Sequence, residues 1–151
     1  MKNLKDYLKE SILGNWEDID IEKDIKSEIE QFLEDNYDGT FSITLVDGNY
    51  IVDSRTDVEV KNTNITSLTN GMFEFGKVRD FDCSSCKSLV SLEGAPKEVG
   101  GCFYCDNCNS LTSLEGAPKE VSEDFSCAFC NSLKTLKGAP VKVGGDFSCY
   151  S

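Results

Sequence analysis

Histidine is absent from this 151-residue chain, which removes the commonest general base and any Ser-His or Cys-His nucleophile pair. No run reaches the ~18 apolar residues that a membrane-spanning helix needs. The opening residues, Met1-Lys2-Asn3-Leu4-Lys5-Asp6, lead into a charged amphipathic pattern with no apolar signal-peptide core. The expected location is cytoplasmic, where cysteines stay mostly reduced. Basic side chains are scarce: 15 Lys and Arg stand against 27 Asp and Glu, a formal net charge of −12. Nucleic-acid backbones and anionic membranes repel such a chain, so neither is an expected direct partner. A glycine-rich phosphate loop is also missing, because Gly100-Gly101 and Gly144-Gly145 belong to a repeat. Asp18, Asp20, Glu22 and Asp24 resemble a calcium loop only in their acidity, without its glycine and closing glutamate. These absences point away from an enzyme, and no cofactor is expected.

Proline occurs only as Pro96, Pro118 and Pro140, and that spacing is the key to the chain. From Phe81 onward the sequence reads FDCSSCKSLVSLEGAPKEVGGC, then FYCDNCNSLTSLEGAPKEVSED, then FSCAFCNSLKTLKGAPVKVGGD, then FSCYS. Each unit is 22 residues long. Phe81, Phe103, Phe125 and Phe147 share one slot, and Cys83, Cys105, Cys127 and Cys149 another. Cys86, Cys108 and Cys130 recur, as do the Leu pairs 89/92, 111/114 and 133/136, and Val99, Val121 and Val143. A fixed period of this size is the mark of a solenoid, whose turns bury their apolar sides only by stacking. A degenerate first turn precedes them at 58–80. There Val58 and Val60 take the Phe81 and Cys83 slots, Asn62 the Cys86 slot, and Ile65 and Leu68 the leucine slots.

Before the repeat, Leu4, Tyr7, Leu8 and Ile12 predict a helix over 3–13. A second is predicted over 20–35, with Ile21, Ile25, Ile29, Phe32 and Leu33 on one face, and Trp16 anchoring the pair. Asn36-Tyr37-Asp38-Gly39 reads as a turn. Phe41 to Val46 reads as a strand, and Asp47-Gly48 as a hairpin turn leading to a return strand at Tyr50-Ile51-Val52. Acidity is concentrated here, with 16 acidic against 6 basic side chains in residues 1–60. Residues 1–57 are therefore expected to cap the first turn, since terminal repeats need covering.

The run Cys108-Asn109-Ser110-Leu111-Thr112-Ser113-Leu114, followed by Pro118 and Val121, resembles a leucine-rich repeat of the bacterial surface-antigen-like subtype. Its shorter Gly-Ala-Pro connection and second strand cysteine depart from that pattern. The unit is also similar to repeats in uncharacterised proteins of gut bacteria and their phages. The expected fold class is α+β: a small N-terminal helical and hairpin cap, then a short mostly-β leucine-rich-repeat-like solenoid over 58–151. Its turns are expected at 58–80, 81–102, 103–124 and 125–146, with a partial turn at 147–151.

The Cys-x-x-Cys pairs leave three readings open. Cys83, Cys86, Cys105, Cys108, Cys127 and Cys130 have four-thiolate zinc spacing. Turns stacked at the strand spacing of ~4.8 Å also bring thiols within disulfide reach. The third reading, favoured because Val60 stands in a cysteine slot, is that the thiols pack as small core hydrophobes. Cys102, in the slot of Asp80, Asp124 and Asp146, is the cysteine expected to be exposed.

If repeated slots build the core, variable slots build the surface. They hold Asp82, Tyr104, Asp106, Asn107, Phe129 and Lys134, where Tyr104 and Phe129 are large aromatics in otherwise small or polar positions. The expected function is a non-enzymatic module that binds an unidentified protein through these residues. One alternative is an acidic inhibitor or nucleic-acid mimic whose helices at 3–35 present carboxylates to a basic site, with Glu28, Glu30 and Glu34 as the positions that test it; if phage-encoded, it would act in the host cytoplasm. Another is a zinc-stabilised structural module. The sequence ends inside a strand slot at Phe147 to Ser151, so either the native chain is longer or this open edge meets a second copy or a partner.

Overall fold

The computed structural model describes residues 21–150; the helix expected over 3–13, and Trp16, lie outside them. Helix α1 (Ile21–Asn36) turns Ile25, Ile29 and Leu33 inward and leaves Glu22, Asp24, Glu28, Glu30, Glu34 and Asp35 exposed. Four-residue spacing puts the inward three on one stripe, which packs into the same core as the solenoid. Asn36 ties the helix end to the first turn. Its side-chain amide donates to the Phe32 carbonyl at 2.8 Å, its own carbonyl accepts Lys61 N–H at 3.0 Å, and its Oδ1 accepts Asn62 Nδ2 at 2.7 Å.

Residues 36–39, expected to be a turn, contain instead a two-residue strand, β1 (Tyr37–Asp38). It runs antiparallel to β4 (Val58–Val60). Tertiary pairing overrides local turn chemistry here. Tyr37 buries its ring among Phe32, Phe41, Phe75 and Phe81, and its hydroxyl donates to the Leu68 carbonyl. The hairpin follows as expected, β2 (Phe41–Val46) and β3 (Asn49–Ser54) in antiparallel register, with β5 (Glu74–Phe75) parallel to β3.

Beyond the cap the chain is a β-solenoid of about 4 turns with 22-residue spacing. One side is a sheet in the order β1-β4-β6-β8-β10-β12, adding β6 (Phe81–Asp82), β8 (Phe103–Tyr104), β10 (Phe125–Ser126) and β12 (Phe147–Ser148) in parallel. Another is the parallel sheet of β7 (Glu98–Val99), β9 (Glu120–Val121) and β11 (Lys142–Val143). Val58 pairs with Phe81 in register, as the slot assignment requires.

The core is built in columns. Phe81, Phe103, Phe125 and Phe147 stack nearly parallel, with centroids 5.5, 5.4 and 5.1 Å apart. Identical residues in parallel register can place their rings only this way. At the cap the column ends against Phe75 and Tyr37, both tilted to Phe81, because Val58 is too small to continue it. Leu89, Leu92, Leu111 and Leu114 are fully buried beside it. The Gly-Ala-Pro corner needs its glycine: Gly116 has φ +89°, and a Cβ there would lie 2.2 Å from Glu93 N.

Candidate interaction surface

The paired cysteines are core. Cys83, Cys86, Cys105 and Cys108 are 0% exposed, and all eight cysteines are free thiols. The columns are locked to the backbone: Cys108 Sγ donates to the Cys83 carbonyl and Cys130 Sγ to the Cys105 carbonyl, each at 3.1 Å. Asn62 occupies the equivalent slot, and its carbonyl accepts Ile65 N–H as that of Cys86 accepts Leu89 N–H. Hydrogen bonding to Cys108 and burial push the Cys83 thiol well up, as Cys130 and burial do for Cys105, while burial pushes Cys127 up to about 12. Hydrogen bonds from the Cys83 and Cys86 thiols draw Cys108 down. Among the described residues, no three Cys, Asp or Glu side chains converge to hold a metal. A zinc centre needs four ligands about one point, whereas stacking spreads these sulfurs along the solenoid axis.

Cys102, expected to be exposed, is 9% exposed. Its backbone N–H donates to Asp80 Oδ1 at 3.0 Å and its thiol to Glu123 Oε2 at 3.5 Å. The neighbouring Tyr104 hydroxyl shares a hydrogen bond with it, and that bond with burial pushes the Tyr104 phenol up to about 12. The exposed thiol is Cys149, in the core slot of β12, over which no other described residues stack.

The variable slots form three rows. Asp82 and Tyr104 are in-register neighbours on β6 and β8, both half-buried, followed by Ser126, which is buried. Ser126 and Ala128 lose their expected exposure because Asp106 reaches over them. Its carboxylate accepts Ser126 Oγ at 2.5 Å and Ala128 N–H at 2.7 Å. Asp106 therefore clamps two turns together. The second row is Ser85, Asn107 and Phe129, which share a left-handed backbone at φ 62°, 58° and 58°. Asn107 and Phe129 are exposed, and Phe129 meets Tyr150 edge-on at 5.2 Å. Tyr150 was not among the expected site residues; its aromatic character in the slot of Ser84, Asp106 and Ala128 was the available signal. The third row, Val90, Thr112 and Lys134, is exposed; Val90 is 62% accessible. Lys134 and Phe129 thus belong to different rows. Comparison with family models, with curated proteins and with solved structures found no match.

Proposed function

We propose that this chain is a non-enzymatic protein-interaction module, a cytoplasmic leucine-rich-repeat-like solenoid of the surface-antigen-like subtype. Its partner is a protein held against the row that carries Phe129, with Tyr150 and Asn107 beside it and Tyr104 on the adjoining strand. The observation that carries this reading is the backbone of Phe129. An exposed phenylalanine at φ 58° sits where other turns place serine and asparagine. A bulky side chain in that region costs on the order of 1–3 kcal/mol, and such strain clusters at functional sites. Asparagine adopts it far more readily. The aromatic ring is therefore costly to the fold and available to a partner.

The test uses the repeat's own alternatives. Phe129→Asn and Tyr104→Ser borrow the residues of Asn107 and Ser126, so neither asks the backbone for a new conformation. Partners captured from cell extract by the wild-type chain are compared with those captured by the double variant. Hydrogen exchange of the purified complex then locates the contact. Loss of the partner by a fully folded variant, with protection over 104–107 and 128–130, is the expected result. A partner retained equally by both proteins would overturn the assignment.

A further inference from the structure

The cap carries the one long free strand edge among the described residues. β2 ends its sheet, ordered β2-β3-β5, and is six residues long, whereas every other sheet edge is a two-residue strand. The direction of its polar groups follows from the register, which pairs Phe41 with Ser54 and Ile43 with Val52. Ser54 N–H donates to Lys77 O and Val52 O accepts Gly76 N–H, so residues 52 and 54 turn their polar groups away from β2. In an antiparallel ladder that direction alternates. The N–H and C=O groups of Phe41, Ile43 and Leu45 therefore face the open side, without a partner among the described residues. Edges of this length are ordinarily blunted by lysine, proline or a bulge. Phe41 to Val46 contains no charged residue and no proline, and its register with β3 is unbroken.

Helix α1 supplies the second wall of a groove along this edge. A recess of about 570 Å³ lies there, with Leu33, Phe41 and Ile43 among its lining. Five charged side chains also line it, and four of them are paired: Lys26 with Glu30 at 4.0 Å and Lys61 with Asp38 at 3.8 Å. Glu34, one helical turn beyond Glu30, is left as the single unpaired charge among the described residues. From these features we infer that β2 accepts an extended segment of a partner protein as an additional strand. That segment is apolar where it meets the recess and carries a lysine or arginine that reaches Glu34. The free main-chain groups hold the segment, while the recess selects every second side chain. Charge selects the occupant. A second copy of β2 is uncharged and gives Glu34 no cation. It also brings another acidic cap, since residues 1–60 hold 16 acidic against 6 basic side chains. This binding surface belongs to the cap, whereas the row that carries Phe129 belongs to the solenoid.

The 151-residue chain is used to select from a display library of random linear peptides, and enriched peptides are synthesised with blocked ends. Their affinity is measured by titration and amide exchange by NMR. Enriched sequences are expected to alternate apolar residues and to carry a lysine or arginine. On binding, the amides of Phe41, Ile43 and Leu45 should gain protection, while those of Ser42, Thr44 and Val46, already bonded to β3, should not change. Leu45→Pro removes one outward N–H at a half-exposed position and leaves the ladder to β3 intact, so it should bind about fivefold or more weakly. Glu34→Lys, on the helix surface, should weaken binding about tenfold or more. Replacing the peptide's basic residue by glutamine should matter in the wild type and little in Glu34→Gln. Failure to enrich any peptide overturns the inference. So do peptides that bind both variants as well as the wild type, or that leave the three amides unprotected. Protection of the same amides that grows with protein concentration in the absence of peptide would assign the edge to a second copy and overturn the choice of occupant.

Discussion

The turns at 103–124 and 125–146 are written in nearly the same residues and live in different surroundings. Leu111, Leu114 and Val121 are at most 1% exposed; their counterparts Leu133 and Val143 are half-buried, and Leu136 is 46% exposed. Residue type therefore sets the register of a turn, while its place in the stack decides what each side chain is worth. A solenoid residue gains its burial from the following turn, so stability is a sum of interfaces between neighbours.

The comparison is sharpest in paired truncations. Leu114→Ala should cost about 2–5 kcal/mol, as for other buried leucines, whereas Leu136→Ala should cost well under half of that. Urea unfolding of the two variants measures the difference; equal losses would break the account. Next in size is Gly116→Ala, expected to lose roughly 1–3 kcal/mol through its left-handed backbone, because the added Cβ meets the Glu93 backbone. Gly48→Ala at the hairpin meets nothing within 4 Å and tests the backbone term alone.

The thiols give a pH dependence of intermediate size. Cys127 is raised from an ordinary 9.0 to about 12 in the folded chain, and Cys83 and Cys105 are raised too. Below pH 9 both states hold these protons and the full stability is present. As pH rises from 9 toward 12 the unfolded chain releases them first, so stability must fall across that window. Unfolding under reductant should show this fall, and Cys127→Ala should shrink it. The smallest effect is at the surface. Lys137→Ala removes a fully exposed ion pair with Glu115 and should leave the unfolding midpoint unchanged within error.

Much of the fold was legible because its period is rigid. Val58, Asn62 and Ile65 fall in the slots that counting assigns them, even in a turn with little residue identity to the others. What escaped depends on contacts between turns, which a single repeat does not encode. Tyr37 joins a sheet because β4 has an edge to close, and Asn36-Tyr37-Asp38-Gly39 carries only turn chemistry. Cys102 is engaged by Tyr104, just after it in β8, and by Glu123, 21 residues further along the chain. Ser126 and Ala128 are hidden by Asp106 from the preceding turn. The left-handed row was hardest to see, for no glycine marks it and Asn107 was its one local hint. The variable aromatics at 104 and 129 were visible as outliers, but the strain that distinguishes Phe129 is not readable from composition.

The most direct test of the central claim, that the cysteines are core columns ordered by stacking, is a count of reactive thiols. The reduced chain, dilute and without added metal, is mixed with an alkylating reagent, and the modified positions are mapped by mass spectrometry over time. Only Cys149 should react quickly, with the seven buried thiols, Cys102 included, reacting at the rate of unfolding. Several fast thiols, or protection of the Cys-x-x-Cys pairs that vanishes when a chelator is added, would contradict it.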